Sequence, residues 1–179
     1  MSDKKRILIT GSTGFIGQNF LNAYGGEFSF FCLTRKIQDL RQPLAIGDKK
    51  TDVVLHLAQS PTQNPEELFD VNVRSTLQLL EWAKRNGVKK FIYASAGNIY
   101  GFSTKRHRET APFNPNNFYA ASKMAAEALC WQDRHCFDIN IMRLFAPYGE
   151  NQQGFRLMPS LFNKIKNQEA VIINNALGN

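Results

Sequence analysis

The sequence predicts an α/β protein built on a doubly wound parallel sheet. Short β-branched and aromatic strands alternate with amphipathic helices, a glycine triplet falls at the first strand–helix junction, and no repeat or low-complexity tract interrupts the alternation. Parallel strands need crossover helices, so both faces of such a sheet are covered.

Taken in order, "RILIT" (6–10) is a short apolar strand. It is followed by a helix from Phe15 with Phe15, Ile16, Phe20 and Leu21 at helical spacing. "FSFFCLT" (28–34) and "DVVLHLA" (52–58) are buried strands, and the polar run between them carries Pro43 and Gly47 and shows no clear helix. Asn64, Pro65, Glu66 and Glu67 form a helix start: a capping side chain, proline at the first helical position, and carboxylates at the positive end of the dipole. That helix is expected to run to Asn86, with Gly87 as its left-handed stop. Strand 88–95, a helix over 117–135 after the turn-rich "APFNPNN", and strand 138–145 complete the pattern. Beyond it, "FRLMPSLFNKIKN" reads as a helix and "AVIIN" as a strand.

With 179 residues, 43% hydrophobic and 21% charged, the chain has room for one well-buried domain. No apolar run is long enough to cross a bilayer, and the apolar stretch Ile7 to Ile9 is too short for a signal peptide, so a cytoplasmic protein with no membrane association is expected. Cys32, Cys130 and Cys136 are odd in number and lack metal-ligand spacing, which argues for reduced thiols and no metal. The net charge of +7 peaks in "KRHR" at 105–108, but no nucleic-acid signature surrounds it; a small nucleotide-type ligand is the better expectation.

Gly11, Gly14 and Gly17 spell G-x-x-G-x-x-G directly after the first strand. Glycines there allow a sharp turn and close approach of the backbone to a pyrophosphate, whose charge faces the helix N-terminus. Thr13, Phe15 and Ile16 belong to the same turn, so the segment is read as a dinucleotide site of the Rossmann type. At the end of the second strand stand Thr34, Arg35 and Lys36. An acidic residue there suits a free ribose and an arginine suits a 2′-phosphate, so NADP is preferred to NAD, with Asp39 close enough to blur the choice.

"YAASK" sets Tyr119 and Lys123 four residues apart on one helix face. A neighbouring ammonium favours the phenolate, so the pair can exchange a proton with a substrate hydroxyl while hydride moves to a nicotinamide.

The glycine triplet, "DVVLHLA" (52–58), "NVRSTLQLLEWA" (72–83), "IYG" (99–101), "YAASK" (119–123) and "RLFAPYG" (143–149) occur in the order of one family. The chain resembles the extended short-chain dehydrogenase/reductases, in particular the NAD(P)-dependent nucleotide-sugar epimerase/dehydratase group. The resemblance implies that 1–149 is the Rossmann domain and 150–179 the beginning of a substrate lobe, shortened at the C-terminus. It implies that the glycines hold the cofactor pyrophosphate, that Leu57, Ala58 and Gln59 line its path, and that Asn72 helps place the nicotinamide side. Tyr119 would be the acid/base and Lys123 would hold the nicotinamide ribose. It also implies a nucleotide-sugar substrate and a homodimer paired through helices 66–86 and 117–135, although the apolar residues there, Trp82 and Trp131 included, can equally be core.

The sequence departs from the family at Ala96, where Ser or Thr usually hydrogen-bonds the substrate oxygen, and at Ala146, where Asn is frequent. A methyl group cannot donate, at a cost of a few kcal/mol in charge stabilisation. Ser95 is the adjacent candidate, but strand neighbours face opposite ways, so it serves only if the strand end shifts by one residue. Three functions stand: an epimerase or dehydratase working through a keto-sugar, a non-catalytic cofactor- or partner-binding protein, and an NADP-dependent reductase of a small carbonyl compound.

Overall fold

The computed structural model describes residues 4–104 and 106–172. Five parallel strands form one sheet in the order β2-β1-β3-β4-β5, from β1 (Arg6–Thr10), β2 (Ser29–Leu33), β3 (Val53–His56), β4 (Lys90–Ala96) and β5 (Asp138–Leu144). The order reverses at β1, which lies between β2 and β3, so the carboxyl ends of β1 and β3 flank the switch point where ligands bind in such sheets. The doubly wound fold expected from the sequence is present.

Alternation along the strands divides the core. Leu8, Val54, Phe91 and Tyr93 face one side and pack with Leu79, Leu80, Trp82, Ala126 and Cys130; Ile7, Ile9 and Leu55 face the other and meet Phe20, Leu21, Phe28 and Phe30. The first face is covered by α3 (Ser75–Arg85) and α4 (Phe118–Gln132), the second by α1 (Phe15–Tyr24). A short α2 (Pro65–Leu68) begins where the capping residues predict: Asn64 accepts from the amides of Glu66 and Glu67. Gly87, at φ +64°, ends the helical run.

The sequence reads one continuous helix from 66 to 86. The structure instead inserts a π-helical turn at Phe69–Arg74 between α2 and α3. Its wider ring accommodates an extra residue, and it turns Val71 and Asn72 inward. Between β2 and β3 the described chain forms neither helix nor strand. Side chains pin this run: buried Gln38 donates to the carbonyls of Asp39 and Pro43 and accepts from Ala45, Gln78 accepts from Leu44, and Trp82 donates to Gly47 at 2.8 Å.

Two further expectations are corrected. Trp131 is not core: it is 61% exposed, whereas Trp82 is buried. Residues 170–172 are not in a strand, and the rest of the expected 170–174 segment lies outside the described residues. The chain divides into two compact units, the first ending at Ala146 and the second starting at Pro147. The second contains α5 (Leu157–Lys166), whose described side chains include none that is buried. Among the described residues no helix is long and apolar enough to cross a membrane.

Candidate functional site

The residues singled out by sequence converge at the carboxyl ends of β1, β3 and β4. Gly11 follows β1 with φ +71°, and a Cβ there would lie 2.7 Å from the Ala58 amide nitrogen. A Cβ on Gly17 would lie 2.3 Å from the Gly11 carbonyl oxygen, so α1 packs against the turn itself. Gly14 caps α1 with no side-chain bond and no acidic residue in the first turn, leaving the positive helix end open to an anion. Thr13 lies exposed in this turn, its carbonyl accepting from Gln18, and Phe15 and Ile16 begin α1 half-buried.

Behind this turn runs a buried chain of hydrogen bonds. The Ala58 amide donates to the Thr10 hydroxyl (3.1 Å), which pairs with Nδ1 of His56 at 2.6 Å. His56 Nε2 meets the Thr76 hydroxyl at 3.0 Å, and that hydroxyl donates to the Asn72 carbonyl at 2.7 Å. Because Thr76 spends its proton on Asn72, His56 must carry its proton on Nε2 and accept from Thr10 through Nδ1. Burial and the nearby Lys123 charge lower the His56 pKa to about 3, which keeps the ring neutral as this pattern requires. The Asn72 side chain extends the connection: its oxygen accepts from the Ser60 amide at 3.0 Å, and its amide donates to the Ser122 hydroxyl at 2.9 Å. Ser122 in turn donates to the Tyr119 carbonyl. Asn72 is thus joined both to the loop after β3, which carries Leu57, Ala58 and Gln59, and to α4.

On α4, Lys123 is buried, donates to the Ala94 carbonyl at 2.9 Å, and holds Nζ 5.0 Å from the Tyr93 ring centre and 6.0 Å from that of Tyr119. Desolvation lowers its pKa to about 8. The half-buried Tyr119 donates its hydroxyl to Gln59 Oε1 at 2.8 Å. Pairing of β4 with β5 is uninterrupted through Ser95↔Arg143 and Ala96↔Leu144, so the one-residue shift that Ser95 would need is absent. Ser95 points to the Tyr93 face, and its buried hydroxyl, like that of Tyr93, has no hydrogen-bond partner among the described residues. Ala96, 5% exposed, presents a methyl group at the end of the strand.

At the end of β2, Arg35 is largely exposed and lies 3.6 Å from Asp39. Asp39 is held by Arg41 through the guanidinium and the backbone amide, and these hydrogen bonds push its pKa far below the ordinary range. The carboxylate that blurs the cofactor choice in the sequence is therefore engaged by arginines.

Sequence reasoning left His56, Thr10, Thr76, Ser60 and Ser122 without roles. A histidine inside an apolar strand was the one available signal, because it must find partners when buried. Arg143 and Tyr100, from two recognised motifs, form a structural tie: Arg143 pairs with buried Glu127 at 2.8 Å and donates to the Tyr100 hydroxyl and the Glu109 carbonyl. A cavity of about 560 Å³ opens at the opposite end of the sheet, where Arg6 pairs with Asp52 and Lys90 with Asp138. Among the described residues no cluster could hold a metal ion.

A glycine turn against a parallel sheet at its switch point, with a tyrosine and a buried lysine one helical turn apart beside it, defines a doubly wound α/β protein of the nucleotide-binding class. The chain belongs to the NAD dependent epimerase/dehydratase family, whose sequence model matches residues 7–178. It is 30% identical to the GDP-6-deoxy-D-mannose reductase of Pseudomonas aeruginosa, over 90% of this chain and 58% of that protein. Its fold matches the structure of RMD from Pseudomonas aeruginosa complexed with NADPH, with a TM-score of 0.77 and 29% identity, covering 92% of this chain and 63% of the other. A UDP-N-acetylglucosamine 4-epimerase from Methanobrevibacter ruminantium superposes with a TM-score of 0.83 at 23% identity, covering 97% and 66%. The chain thus spans about three-fifths of the length of these relatives.

The buried imidazole makes stability depend on pH. Its folded pKa of about 3 lies below the ordinary 6.5, so as pH falls below 6.5 the unfolded chain takes up a proton that the folded one refuses. Urea unfolding should therefore show stability falling as pH drops from 6.5 towards about 3, by at most about 1.4 kcal/mol per pH unit from this group. His56→Gln should be less stable at neutral pH and flatter across that window; an equally steep variant would assign the effect elsewhere.

Proposed function

We propose that the chain is the cofactor-binding part of an NAD(P)-dependent enzyme that acts on a nucleotide sugar through a keto-sugar. The observation that carries this reading is Tyr119 and Lys123 beside the glycine turn on one face of α4. The glycine positions fit a dinucleotide, because a Cβ at 11 or 17 would strike backbone and the helix end above them is open. Gly11, Thr13, Gly14, Phe15, Ile16 and Gly17 would hold the pyrophosphate, Leu57, Ala58 and Gln59 would flank it, and Asn72 would keep that loop in register with α4. When bound, the nicotinamide supplies hydride acceptance and donation.

Tyr119 would take the proton from the sugar hydroxyl as the carbon is oxidised and return it on reduction. Lys123, charged at neutral pH and fixed to the Ala94 carbonyl, would hold the nicotinamide ribose and favour the phenolate. Ser95 would reach the substrate oxygen only if substrate reorganises the end of β4; with Ala96 at the strand end, the hydrogen bond that stabilises charge on that oxygen has no donor from position 96. Arg35, beside an Asp39 engaged by Arg41, favours NADP over NAD. A homodimer is supported by Phe69, Leu77 and Trp131, which stand 51%, 44% and 61% exposed on the helical layer.

A non-catalytic cofactor-binding role is the second reading, favoured by the methyl group of Ala96 where the family usually has a hydroxyl.

Three outcomes test these points. With nucleotide sugars as substrates, Tyr119→Phe should abolish keto-sugar formation while NADPH still binds, and Ala96→Ser should raise turnover about 10²-fold. Absence of turnover in both the parent and Ala96→Ser, with cofactor bound, would favour the second reading. In nicotinamide fluorescence titrations NADPH should bind more tightly than NADH, and Arg35→Ala should reduce that preference about tenfold; equal affinities would remove the argument from Arg35. Sedimentation should give a dimer that Trp131→Glu dissociates, and a monomeric parent would exclude it.

A further inference from the structure

The turn after β2 sets one carboxylate between two arginines, and the two stand in different relations to it. Pairing of Thr10 with Leu33 brings this turn and the glycine turn to neighbouring strand ends. In dinucleotide folds an acidic residue about 20 positions beyond the glycines accepts hydrogen bonds from the ribose. Asp39 is the first carboxylate after β2 and stands in that range. Its peptide is fixed: the Ile37 and Gln38 amides donate to the Thr34 carbonyl, and the Asp39 carbonyl accepts from the Gln42 amide at 3.0 Å and from the buried Gln38 side chain at 2.9 Å. Arg41 then closes on the carboxylate. Its amide and its Nε each donate to Oδ1 at 3.0 Å, and its Nη2 donates to Oδ2 at 2.5 Å. Arg35, by contrast, has a side chain 64% exposed, and its Nε stays 3.6 Å from Oδ2, beyond hydrogen-bond reach. A carboxylate has about four acceptor sites, and Arg41 occupies most of them. An ion pair this exposed adds little to stability; what it changes is which groups are free to meet a ligand.

We propose that Arg41 is a positioning residue for cofactor specificity, acting through Asp39: it holds the carboxylate in a two-pronged ion pair, denies it to the ribose hydroxyls of NAD, and leaves Arg35 open to the 2′-phosphate of NADP. This deepens the NAD(P) reading of the site and rests on it. Arg41 turns a carboxylate that would select NAD into one half of a neutral pair. A phosphate approaching Arg35 then meets that pair instead of an unscreened like charge, and a ribose hydroxyl finds no free acceptor. Without Arg41, the same carboxylate would stand open beside Arg35.

The test is a fluorescence titration of the whole 179-residue protein with NADPH and, separately, with NADH. Arg41→Ala should move the two affinities in opposite directions, weakening NADPH about tenfold and tightening NADH about fivefold. Adding Asp39→Ala to Arg41→Ala should remove the gain in NADH affinity and restore most of the lost NADPH affinity, because the freed carboxylate is the cause of both changes. A merely structural role for Arg41 would weaken both nucleotides together and would not be rescued at position 39. Arg41→Gln, which keeps a polar side chain in the turn, serves if the alanine variant does not fold. An NADH affinity that fails to rise when Arg41 is replaced, or a rise that persists after Asp39→Ala, would overturn the proposal. Failure of the cofactor reading itself would look different: the parent would bind neither nucleotide, and the proposal would fall with it.

Discussion

A histidine buried inside the sheet must be neutral and must find partners for both ring nitrogens, and the site is arranged around that requirement. His56 receives a proton from Thr10 on one side and gives one to Thr76 on the other. The first contact fixes the loop that closes over Gly11; the second fixes the peptide of Asn72. Each polar group in this path would carry a desolvation penalty if its neighbour were lost, so the turn after β1, the loop after β3 and the helical layer are held in one register.

Steric closeness does the complementary work. The Gly11 backbone touches the 57–58 peptide, and Gly17 brings α1 onto the Gly11 carbonyl, so side chains are excluded where a phosphate would need backbone amides. Electrostatics then separates two neighbouring phenols. Tyr93 lies wholly inside the core, where burial opposes its ionisation; Tyr119 is half-buried at the edge, in contact with the loop. Lys123 lies near both rings, yet only the outer one is not fully buried.

The fold was legible in the sequence because strand and helix periodicities, the Asn64 cap and the Gly87 stop each act locally, within a few residues. The sequence also marked Gly11, Tyr119 and Lys123 by their chemistry as candidates, and the structure places them at one edge of the sheet. What was not legible depends on contacts distant along the chain. The bond from Gln59 to Tyr119 spans 60 positions, and the choice of Ser95's face required the β4–β5 register. Trp131 was ambiguous for a related reason: helical spacing places it on a face without saying what covers that face. The irregular run between β2 and β3 is held by the individual side chains Gln38, Gln78 and Trp82, which leave no periodic trace.

The π turn at Phe69–Arg74 also makes the fold sensitive to chain length itself. Successive residues of an α-helix are rotated by about 100°, so deleting one residue from this turn would close it into an ordinary helix and rotate everything on one side by that amount. Asn72 and the pair Leu79 and Leu80 could then no longer face the interior together. Substitutions within this segment can be accommodated side chain by side chain, whereas a one-residue deletion has no local remedy. The exposed turn around Thr62 and Gln63, a few residues earlier, has no such phase to keep and is where natural length variation should accumulate.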